Sequence, residues 1–95
     1  MASEGLHEAE ERIRPETIDK HRALTSMMEE LEAVDWYDQR VDAATDPELK
    51  QILAHNRDEE KEHASMVLEW IRRRDRVLSK ELKEFLFTDQ PIAHG

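Results

Sequence analysis

The segment ATDPE, residues 44 to 48, separates two long stretches of helical periodicity, and that pattern leaves a chain few ways to fold. Before it, apolar residues recur every three or four positions at Ile18, Leu24, Met27, Leu31, Val34 and Val41, and Pro15 suits a first helical turn. After it come Leu49, Ile52, Leu53, Ala64, Val67, Trp70 and Ile71. Arg72, Arg73 and Arg74 follow, a basic run better read as a solvated helix end than as a binding patch. Thr45 and Glu48 read as a capping box with Pro47 in the first turn. The pattern predicts an antiparallel hairpin whose first helix spans about 15 to 43 and whose second ends near Arg72 to Arg74. Leu78, Leu82, Phe85 and Leu86 add a short third helix or an extension of the second. Residues 1–13 are acidic without an apolar period and read as a disordered tail, 14–90 as the helical domain, and 91–95 as a C-terminal loop.

Composition narrows the class. With two glycines and 39% charged residues against 38% hydrophobic ones, the chain has the profile of long exposed helices, so the fold class is all-α. A domain of this size buries only roughly 60 to 65% of its unfolded surface and so wants a partner subunit. A net charge of -9 argues against nucleic acid as a partner and favours cations. The absence of cysteine excludes disulfides, thiolate metal sites and cysteine nucleophiles, leaving oxygen and imidazole ligands. No apolar run approaches the roughly 20 residues of a membrane span, and the start MASEGLHEAEE lacks the features of a signal peptide, so the expectation is a cytoplasmic protein.

Within HNRDEEKEHASM, residues 55 to 66, the second helix becomes polar where its stripe should be apolar. On a wheel at about 100° per residue, Leu49, Leu53, Val67, Ile71 and Leu78 share one sector, with Glu60 in its middle and Asn56 and His63 beside it. An unpaired buried carboxylate costs several kcal/mol, so Glu60 needs a partner. The bland reading is that Glu60 and His63 bind each other or a facing arginine, and a lone E-x-x-H is a weak motif.

The hairpin register adds a third group. A turn near residue 45 brings Met27 opposite Ala64, Val34 opposite Arg57, and Glu30 opposite the Glu60 to His63 turn. Two acids and an imidazole suit iron, manganese or zinc. Di-iron carboxylate bundles take a Glu from each of two helices and a Glu-x-x-His from each of the other two, and two copies of this hairpin supply that set. The expected assembly is a symmetric dimer forming a four-helix bundle, with two metals between subunits held by Glu30, Glu60 and His63. Glu29, Glu32 and Trp36 share another face of the first helix, where they read as a second subunit interface or as a cation-attracting vestibule. Tyr37 reads as packing or as a neighbour of the metals, and Asp38 as a partner of His55 or Arg57. Glu59 and Glu62 read as rim residues, and His7, His21 and His94 have no ligand-spaced company.

The runs SMMEELEAVDWYDQRVDAATDPEL and ILAHNRDEEKEHASMVLEW together resemble the encapsulated ferritins, truncated ferritin-like proteins packaged in encapsulin shells. The resemblance covers about Pro15 to Pro91. It implies a ferroxidase di-iron centre across a two-fold interface, with Glu30, Glu60 and His63 as Fe2+/Fe3+ ligands and O2 or H2O2 as oxidant. It further implies an outer metal-access site at Glu29, Glu32 and Trp36, and homodimers assembled into an annular decamer inside an encapsulin nanocompartment that stores the iron mineral. Ca2+ and Zn2+ are alternative occupants of either site. The resemblance further implies a C-terminal tail ending in a shell-targeting peptide, and the sequence ends at PIAHG, so the expectation is either a chain truncated before that tail or one that has lost its targeting. A non-catalytic, metal-stabilised helical assembly module and a rubrerythrin-like peroxidase are the competing functional readings.

Overall fold

The computed structural model describes residues 5–93, and every regular element among them is helical. A single 3-10 turn at Glu10–Arg12 precedes α1 (Pro15–Ala43), α2 (Pro47–Arg72) and α3 (Arg76–Phe85). His94 lies outside the described residues.

Each start has a local cause. Pro15 and Pro47 stand at the first turns of α1 and α2, where a missing N–H costs nothing and the fixed φ favours helix. The cap of α2 is Asp46 and not Thr45: its carboxylate accepts from the Leu49 N–H at 2.8 Å. Pro47 fixes the first helical position one residue later than a Thr45 cap requires. Asp75 repeats the arrangement for α3, accepting from the Leu78 N–H at 2.9 Å. That cap ends any continuation of α2 and places Leu78 on a separate helix, off the α2 stripe.

α1 and α2 pack along their lengths as an antiparallel pair, and α3 meets α2 beyond the corner at residues 73 to 75. Arg57 on α2 donates to Asp38 on α1 at 3.1 Å, a polar tie across the hairpin. His55 faces Glu59 at 2.6 Å, which leaves Asp38 to the arginine alone.

One carboxylate organises the corner. Glu69 accepts from Arg72 Nε at 2.6 Å and Nη2 at 2.7 Å, and from Arg73 Nε at 2.8 Å. Arg72 Nη1 also donates to the Ser79 hydroxyl on α3 at 3.0 Å. Arg74 turns back over the Trp70 ring at 4.0 Å from its centroid. The arginine run is thus the end of α2, paired locally. The hydrogen bonds from Arg72 and Arg73 hold the Glu69 carboxyl down from 4.5 to about 2. A depressed carboxylate contributes stability above its ordinary value and loses it as pH falls towards the folded one. NMR titration of this carboxyl is expected to give a midpoint near 2, and Arg72→Met should return it towards 4.5.

The hairpin by itself has almost no core. Among the described residues only Ala64 and Ile71 are buried. Leu24, Met28 and Leu31 follow i, i+4, i+7 spacing down α1 and stay exposed, Leu31 by 54%. On α2, Leu49, Ile52 and Met66 are also exposed. Met27 and Val34 are half-buried against α2, so the apolar residues of α1 divide between a face used within the hairpin and a face without a neighbour in one chain.

Candidate metal centre

Glu30 comes from the middle of α1, while Glu60 and His63 stand one turn apart on α2. Antiparallel packing makes the three electrostatic neighbours. Glu60 Oε2 lies 3.9 Å from His63 Nδ1, beyond hydrogen-bond distance. Arg57, the arginine at that level of α2, is engaged by Asp38 and Asp58. The pair is therefore satisfied neither by itself nor by an arginine. His63 keeps 43% of its side chain accessible and Glu60 26%, so both remain within reach of a ligand from solvent.

Glu30 is the more unusual group. Its Oε2 is buried and accepts no hydrogen bond, although a buried carboxylate oxygen ordinarily has a donor. Burial pushes its carboxyl above 4.5; His63 opposes the rise, and Glu60 and Glu29 add to it. Such a group holds its proton more strongly in the fold than in the unfolded chain, so its charge works against folding at neutral pH and the penalty fades as the proton is taken up. Glu30→Met is expected to raise the melting temperature of the metal-free protein by about 2 to 4 °C at pH 7. Scanning calorimetry should show that gap closing as pH falls towards 4.5, while equilibrium titration shows weaker Fe2+ binding.

Among the described residues of one chain, no three His, Asp or Glu side chains form a group able to hold an ion. The hairpin presents donors without closing a cage around them. Glu29 is exposed and Glu32 half-buried, and Trp36 is 49% exposed beside Gln39, Arg40 and Ala43. Tyr37 is half-buried with the Arg40 guanidinium 5.2 Å from its ring centroid. Glu59 and Glu62 are exposed, and Glu62 lines an outer groove with Met66 and Trp70. The buried hydroxyl of Thr25 also has no hydrogen-bond partner, a feature that sequence reasoning passed over. The signal available was its place between Leu24 and Met28, where a polar side chain interrupts an apolar face.

No helix among the described residues is long and apolar enough to cross a membrane. The "Encapsulated ferritin-like protein" of Rhodospirillum rubrum is 63% identical over 92 residues, covering 97% of this chain and 66% of its own length. The "Ferritin-like protein" of Thermotoga maritima is 49% identical over 86 residues, 90% of this chain and 75% of that one. The crystal structure of protein ne0167 from Nitrosomonas europaea superposes with a TM-score of 0.91 at 63% identity, covering 96% of this chain and all of that one. The model of the family described as EncFtn-like matches residues 5–89, and with these likenesses the chain belongs to that family.

Proposed function

We propose that two copies of the hairpin complete a ferroxidase centre that oxidises Fe2+ to Fe3+, with Glu30, Glu60 and His63 of each copy as the ligands. The observation that carries this reading is the buried, unpartnered oxygen of Glu30 beside two further donors that satisfy neither each other nor an arginine. A donor set of carboxylates and imidazole fits iron, and the carboxylates favour the harder Fe3+ product over Fe2+. Two Fe2+ ions held there would each give up one electron, reducing O2 with two protons to H2O2, or H2O2 with two protons to two water molecules. Glu60 and His63 stand on the accessible side of the hairpin. Glu30 would receive a cation at an oxygen that now lacks a donor, relieving its burial. Glu29 and Glu32, with Trp36 beside them on α1, form the access route that concentrates cations from solvent. Ca2+ and Zn2+ compete for the same oxygen and nitrogen donors.

The name of the Rhodospirillum relative supports an extension to packaging: we place the protein as a dimer, assembled further into a ring of ten, inside an encapsulin shell in the cytoplasm. The shell then holds the mineral that an open ring does not enclose.

The test is aerobic addition of Fe2+ to the metal-free protein. A rise in near-ultraviolet ferric absorbance with repeated turnover supports the ferroxidase. Assembly that responds to metal without turnover would show a structural module instead. Faster turnover with peroxide, without release of iron, would show a peroxidase.

A further inference from the structure

The corner between α2 and α3 carries a second constellation, unrelated to the carboxylate site. An open cleft of about 570 Å³ is lined by Arg72, Arg73, Arg76, Ser79, Lys80 and Lys83. Five cationic side chains around one cleft are anomalous in a chain of net charge -9. Their arrangement is ordered. On a wheel at about 100° per residue, Arg76, Lys80 and Lys83 fall within roughly 60° on α3, with Ser79 at the margin. Leu78, Leu82 and Phe85 occupy the opposite side, and Glu81 and Glu84 lie outside the basic arc.

Two kinds of donor meet there. The Arg72 guanidinium is held in place by Glu69 on one edge and by Ser79 on the other. Those contacts use three of its five N–H groups and leave two in a fixed orientation. Arg76, Lys80 and Lys83 form no ion pair among the described residues, so their charges remain available. A planar fork fixed beside mobile ammonium groups and a hydroxyl is the donor chemistry that recognises phosphate oxygens. From Arg76 to Lys83 the row is about 10 Å long at the α-helical rise, longer than one tetrahedral oxyanion.

We propose that this cleft binds phosphate oxyanions, and that a short condensed phosphate chain fills it better than orthophosphate. Successive phosphoryl groups lie along the α3 row, one end against the fixed Arg72 fork. The site needs no iron and is tested on the metal-free protein.

Calorimetric titration with tripolyphosphate and, separately, with orthophosphate, at constant ionic strength, tests it. Tripolyphosphate is expected to bind more tightly than orthophosphate. Lys80→Gln/Lys83→Gln should weaken tripolyphosphate binding roughly tenfold or more, and raised salt should weaken binding to the parent because each released counterion gains less entropy in a more concentrated solution. Lys50→Gln/Lys61→Gln removes the same charge away from the cleft and should bind as the parent does. Circular dichroism confirms that each variant is helical. Equal weakening in both variants would reduce the effect to net charge and overturn the proposal. So would undiminished binding in Lys80→Gln/Lys83→Gln, no binding of either phosphate, or tighter binding of a glutamate oligopeptide than of tripolyphosphate. If orthophosphate binds as tightly as tripolyphosphate, the condensed-chain assignment is wrong.

Discussion

Glu60→Ala and His63→Ala are each expected to slow aerobic Fe2+ oxidation by about 100-fold or more, because loss of a ligand should exceed the 10- to 100-fold cost of disturbing a group behind it. The two substitutions act through different chemistry. If the two are iron ligands as proposed, Glu60→Ala would remove an anionic oxygen and charge balance for Fe3+, while His63→Ala would remove the nitrogen donor and leave the acids. In a two-fold site each change occurs twice, so neither variant retains an intact half. Stopped-flow absorbance gives the rate, and the oligomer mass, measured alongside, should stay that of the parent. A variant oxidising Fe2+ at the parent rate would refute these ligand assignments. A variant that loses both rate and assembly would point to a structural part for that residue.

Leu31→Glu is the second large effect. Leu31 lies one position from Glu30 on α1 and is more than half exposed in the single chain. If Leu24, Met28 and Leu31 meet a second hairpin, the substitution removes about 1.5 to 3 kcal/mol of burial from each copy. It also places a carboxylate in an apolar contact. Symmetry doubles the penalty, and the dimer should dissociate at concentrations where the parent stays paired. Sedimentation equilibrium is expected to show a dissociation constant raised by roughly 100-fold or more. For the parent, each tenfold dilution should remove about 1.4 kcal/mol of apparent stability, since pairing and folding are linked. A parent melting temperature independent of concentration would show that the hairpin stands alone despite its small core.

Much of this architecture is legible in the sequence. The apolar period and Pro15 place α1 where it is found, Pro15–Ala43, and the arginine run marks the end of α2. Asp38 finds Arg57, one of the two partners its position suggests. Three things are not legible. A capping box selects Thr45, yet Pro47 and the reach of a carboxylate put the cap at Asp46. A short third helix is one of the two readings that Leu78, Leu82, Phe85 and Leu86 allow, but the 3.6-residue period runs on through Leu78, so it is the Asp75 cap and nothing apolar that chooses it over an extension of α2. A wheel also cannot say which neighbour a stripe faces. Leu24 and Leu31 share a period with Met27 and Val34, yet only the latter two lie half-buried against α2. The same applies to the candidate centre: spacing picks out Glu30, Glu60 and His63, while the bare oxygen of Glu30 depends on packing between two helices.

One chain holds donors for an ion but no closed group of three, and this has a consequence in gene dosage. If two copies share the site, a cell making intact and Glu60→Ala chains together would populate mostly mixed pairs and defective pairs. The intact pairs would then be the minority, and the altered gene would behave as a dominant inhibitor of its normal counterpart.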